Sequence, residues 1–61
     1  MIKIDTVSGH LITHKEFINT IFFDTGRYYV TLLHEGHFEK WEITSGSYEK
    51  LKLMLYGEEK A

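Results

Sequence analysis

Four histidines, His10, His14, His34 and His37, and the carboxylates of Glu35, Glu39 and Glu42 are the side chains here whose types could do chemistry. Imidazole and carboxylate groups bind zinc and move protons in general acid–base catalysis. The run His34-Glu35-Gly36-His37 has the wrong spacing for a helical zinc-protease motif, which needs histidines four apart on one helix face. These two lie three apart around a glycine, so holding a divalent ion would require His10 or His14 to approach. A solvated hairpin tip is the simpler reading, and it is adopted. No other catalytic group stands out. The chain has no cysteine, and neither Ser-Gly pair sits in a G-x-S-x-G elbow. The glycines never cluster into a phosphate loop. The glutamates would need a water-excluding pocket to tune them, and 61 residues leave little room for one. No catalytic residue, no cofactor and no metal ligand is assigned, and the chain is not expected to be an enzyme.

Charge narrows the field further. Seven Lys+Arg stand against nine Asp+Glu, for a net charge of −2. Nucleic-acid binders draw most of their affinity from phosphate neutralisation and carry a basic excess. Tyr28, Tyr29, Phe38 and Trp41 have the ring types of a single-strand stacking platform, but Arg27 and Lys40 are the only cations near them. Nucleic-acid binding is therefore the runner-up function, and a histidine metal-dependent enzyme comes third.

The elements that position these residues follow from the pattern. Hydrophobic residues make up 43% of the chain and aromatics 15%, enough for a folded core. Ser8-Gly9, Thr25-Gly26 and Glu35-Gly36 mark turns between β-branched and aromatic runs. Strands are predicted near 2–7, 10–14, 17–23, 27–33 and 38–44, with a helix over 47–56. The fold class is α+β: a small antiparallel β-meander of four to five strands with one C-terminal helix packed on one face. The whole chain, 1–61, forms a single domain. In residues 13–23, Thr13 and Glu16 match a capping box and Phe17, Ile18, Ile21 and Phe22 a helical face. The Ile, Thr and Phe content and the adjoining hairpin favour a strand there.

Register can be argued because a one-residue slip exchanges the two faces of a strand. Setting Leu33 opposite Phe38 places Val30 against Trp41 and Tyr28 against Ile43. Setting Asp24 opposite Arg27 makes a cross-strand ion pair and places Phe23 against Tyr28 and Ile21 against Val30. The inner core is then Phe17, Ile21, Phe23, Tyr28, Val30, Leu32, Trp41 and Ile43. Ser45 or Ser47 is expected to cap the helix, and Gly57 to end it in the left-handed region. Tyr48, Leu51, Met54 and Leu55 form its buried stripe, while Leu53 and Tyr56 project elsewhere. Glu58-Glu59-Lys60 reads as a frayed, solvated tail.

The opposite face of the sheet then carries Ile18, Phe22, Tyr29, Leu33 and Phe38 among Thr20, Thr31, Lys40 and Glu42. An outer sheet face normally shows polar residues, so something should cover this one. The N-terminal hairpin could fold across it with Ile2, Ile4, Leu11 and Ile12. A second polypeptide is the preferred cover, because apolar patches of this kind mark contact sites. A partner would also supply the support that a domain this small usually needs and that cysteines cannot give here. Ile18, Phe22, Tyr29, Leu33 and Phe38 are accordingly the expected protein interface.

The run Gly36-His37-Phe38-Glu39-Lys40-Trp41-Glu42-Ile43, followed by Tyr48 and Leu51, resembles the hairpin-then-helix layout of the KTSC domain family over about half of the chain. That family's Lys-Thr-Ser-Cys signature is absent here, and no functional residue carries over.

The function expected is a small non-catalytic protein-binding module, a homodimer in its free state. A microbial or phage accessory protein that inhibits or redirects a larger host protein fits its size. The start at Met1 and the lack of a linker suggest a complete small gene product. With no signal-like N-terminus and no run of ~20 apolar residues, a cytoplasmic location and no membrane partner are expected.

Overall fold

Two tight turns set the register of the long strands. In the computed structural model, which describes residues 1–57, Thr25 and Gly26 have φ of 51° and 78°, and Glu35 and Gly36 have 49° and 82°. Two successive positive φ values define the type I′ turn, whose twist matches that of the strands it joins. The elements are β1 (Ile2–Thr6), β2 (Gly9–Thr13), β3 (Ile18–Asp24), β4 (Arg27–His34), β5 (His37–Ile43) and α1 (Ser45–Tyr56). In β4 and β5, Leu33 lies opposite Phe38, Val30 opposite Trp41 and Tyr28 opposite Ile43. In β3 and β4, Asp24 lies opposite Arg27, Phe23 opposite Tyr28 and Ile21 opposite Val30. These are the predicted registers.

The expected ion pair at the turn does not form. Arg27 Nη1 instead reaches Glu42 Oε1 on the next strand, at 3.8 Å, and Asp24 Oδ1 accepts from the Thr25 hydroxyl. The solvated tail predicted for Glu58-Glu59-Lys60 falls outside the described residues.

The fold is α+β: one five-stranded sheet, antiparallel throughout and in the order β2-β1-β5-β4-β3, with α1 against one face. Strands β3 to β5 form the meander. The N-terminal hairpin joins it on the β5 side and does not fold across the second face. Thr6 lies opposite Ile43. Val7 N–H donates to the Glu42 carbonyl and Thr44 N–H to that of Asp5, each at 3.1 Å. This edge-on attachment turns Ile4 into the core, with Ile2 and Leu11 packed against it.

Residues 13–23 are mostly strand, with one 3₁₀ turn at Lys15–Phe17. No capping box forms there, because His14 holds the cap position without a side-chain bond.

The core consists of Ile4, Ile21, Val30, Leu32, Ile43 and Leu51, with Tyr28, Tyr48, Met54 and Leu55 packed against it. The predicted helix stripe is therefore correct, and Leu53 and Tyr56 are exposed. Three predicted core residues are not core: Phe23 is 55% exposed and Trp41 37%, and Phe17, half-buried, sits between His14 and His34 outside the core cluster. A helix of 12 residues is only about 18 Å long, too short to roof the whole of that face. The helix cap also differs from expectation. Thr44 accepts from the Ser47 N–H at 3.2 Å. Ser47 is buried instead, its hydroxyl accepting from the Asp5 N–H at 2.8 Å and tying helix to sheet. Gly57 ends the helix at φ 73°, its N–H donating to the Leu53 carbonyl.

Candidate functional site

The outer face of the meander is built by alternation. Because Val30 and Leu32 point at the helix, Tyr29, Thr31 and Leu33 point away from it. The registers then bring Phe22, Thr20, Phe38, Lys40 and Glu42 to the same side. Phe22 and Tyr29 stack at 5.1 Å between ring centroids, and Lys40 Nζ sits 5.0 Å from the Tyr29 ring. At the other end Leu33 and Phe38 lie opposite each other, 49% and 59% exposed. Thr20, Thr31 and Lys40 run between the two apolar pairs.

Ile18 does not belong to this face. The predicted pairing would set it opposite Leu33, but the ladder shifts between Ile18 and Thr20, so that Ile18 lies opposite Leu32. The extra residue, Asn19, forms a bulge that flips everything before it to the other side. Ile18 therefore packs against the core. A fixing interaction can be seen at the bulge. The buried Thr31 hydroxyl accepts from the Thr20 N–H at 3.1 Å and donates to the Thr20 carbonyl at 3.2 Å.

A second feature escaped the sequence reading. On the helix side, beyond the reach of α1, an open cleft of about 480 Å³ is lined by Leu11, Phe17, Leu32 and Trp41. His14, His34, His37 and Glu39 also line it. Phe17 lies between two imidazoles, 5.3 Å from His14 and 4.1 Å from His34 by ring centroids. The Trp41 indole N–H donates to Glu39 Oε1 at 3.0 Å. His14 thus does approach the turn at residues 34–37, whereas His10 lies opposite Asp5 in the N-terminal hairpin. Among the described residues, no three His, Asp or Glu side chains converge closely enough to hold a metal ion. Among the described residues the polar contacts there are pairwise, Trp41 with Glu39 and His34 Nε2 with Glu35 Oε2 at 4.0 Å. The one sequence signal for this cleft was the clustering of His14 and Phe17 before a strand whose partner ends at His34.

No family model matches the chain, and no curated protein or solved structure shows a significant similarity to it. Among the described residues no helix is long and apolar enough to cross a membrane.

Proposed function

We propose that this protein is a non-catalytic protein-binding module that docks another polypeptide on the outer face of its sheet, through Phe22, Tyr29, Leu33 and Phe38. The observation that carries the reading is the exposure of Leu33 and Phe38 where an outer sheet face is normally polar. Fully burying such a side chain gains about 1.5–3 kcal/mol, so the face gains most when a partner covers it. The stacked Phe22–Tyr29 pair offers rigid ring area of the kind that dominates contact energies. A larger host protein is the partner class this reading favours, and a cytoplasmic accessory role goes with it.

The test uses variants on β4 and β5. Immobilised wild-type protein should retain a defined polypeptide from the native host's lysate. Leu33→Asp and Phe38→Asp should lose that polypeptide while keeping the wild-type circular dichroism and unfolding midpoint. Equal retention by wild type and both folded variants would end this reading. Binding of single-stranded oligonucleotides that weakens steeply with salt would replace it.

A further inference from the structure

Strand β3 is one border of the sheet, and it has few of the features that keep borders unpaired. Natural edges are blunted by lysine, proline, shortness or bulges. The seven residues of β3 include no proline and no lysine. Their single charge is Asp24 at the end, and their bulge is confined to the start, at Asn19. Thr20 turns its main-chain N–H and carbonyl toward β4, where the Thr31 hydroxyl meets both. Alternation along a strand then turns Phe22 and Asp24 inward as well, and turns the main chain of Ile21 and Phe23 outward. The Ile21 carbonyl receives only a long 3.4 Å contact from its neighbour, the Thr20 hydroxyl. Among the described residues, the outward groups of Phe23 meet no other strand.

We propose that two copies of this chain pair antiparallel along β3, about a twofold axis passing between Phe22 and the partner's Phe22. The pairing rests on the protein-binding reading above and names a second copy as one occupant of that same sheet. Three features of the strand select this register. Symmetric pairings that set Ile21 opposite the partner's Phe22 are excluded, because one main chain would face outward and the other inward. Centring on Ile21 would set Phe22 against the partner's Thr20 and Phe23 against the partner's Asn19. Centring on Phe23 would press Phe22 against the partner's Asp24 carboxylate. Centring on Phe23 would also set ring against ring, but the Phe22-centred register does so with no carboxylate against an apolar side chain: it sets Ile21 against the partner's Phe23 and Asp24 against the partner's Thr20 hydroxyl, which can donate to it. It forms two main-chain hydrogen bonds on each side of the axis. It also brings cover to Phe23, whose ring is 55% exposed in the single chain. Antiparallel pairing about such an axis keeps the two outer faces on one side. The two Phe22–Tyr29 stacks then meet at the axis, and a doubled apolar surface results.

The absence of cysteine makes the test clean, since any introduced thiol is the only one. Opposed residues in a non-hydrogen-bonded antiparallel pair have Cα atoms about 4.5 Å apart, within the span a disulfide accepts. Phe22→Cys should therefore oxidise to a covalent dimer. Thr20→Cys and Asp24→Cys should each remain uncrosslinked alone and should crosslink when mixed, a pair of variants that spares the Phe22–Tyr29 stack. Light scattering of the wild-type protein should give twice the 7.2 kDa chain mass, falling toward one chain on dilution. A single-chain mass at every concentration overturns the pairing. So does crosslinking of Leu33→Cys in place of Phe22→Cys, which would mean faces stacked rather than edges joined. A monomer that still captures a host polypeptide sinks the pairing alone. A β3-joined dimer whose folded Leu33→Asp and Phe38→Asp variants capture as well as wild type sinks the docking reading alone.

Discussion

Ser47 shows how one hydroxyl can join two elements. It sits in the first turn of α1 and accepts from the main-chain N–H of Asp5 in β1, a donor that would otherwise be left without a strand partner. Ser47→Ala should cost about 1–3 kcal/mol, the usual penalty for orphaning a buried polar group. Urea unfolding reads this directly, and a loss too small to measure would mean that water replaces the hydroxyl. Leu51 is the helix's one fully buried apolar side chain. Leu51→Ala should lose about 2–5 kcal/mol, which in a domain this small approaches its whole stability. Leu33→Ala, on the exposed face, should stay within about 0.5 kcal/mol of wild type. Similar losses at both sites would show that Leu33 is core.

At the scale of elements, the turns and the helix cap decide how the strands and the helix are placed. Gly36 sits at φ 82° with open space where a Cβ would point, so Gly36→Ala tests conformation and not packing. A Cβ in the left-handed region costs about 1–2 kcal/mol. An alanine variant as stable as wild type would show that the turn relaxes to another type. Thr44 caps α1 through a single bond to the Ser47 N–H. Thr44→Ala should cost about 1 kcal/mol, seen as a lower thermal midpoint with the helix signal kept below the transition. Both hairpin registers could be read from the chain because two-residue loops leave no slack and each slip would have exposed a buried face. The bulge at Asn19 could not. It is stabilised by the Thr31 hydroxyl, twelve residues away, and no local pattern announces that bond.

For the whole molecule, the matter is how much cover one short helix gives a five-stranded sheet. Through Leu51 it packs into the cluster of Ile4 and Ile43 and leaves Trp41 and Phe23 at the margin, the first beside an open cleft and the second beside an open edge. Among the described residues nothing covers the outer face, because the N-terminal hairpin widens the sheet and does not cross it. A chain that pairs with a second copy along β3 should be more stable at higher concentration, since binding the folded state shifts unfolding by mass action. The thermal midpoint should rise with protein concentration for wild type. A midpoint independent of concentration would argue against any self-association.

Alternation, turn residues and the helical stripe belong to neighbouring positions, so composition and spacing alone determined the strands, both central registers, the buried side of α1 and four of the five outer-face residues. Tertiary structure decided the rest. Ile18 changed sides through a bulge held by Thr31, Thr44 displaced the two serines as cap, and Arg27 left Asp24 for Glu42. The N-terminal hairpin chose the sheet's border over its face. Each of these depends on groups far apart along the chain that meet only after folding. No periodicity records which distant partner a side chain will find.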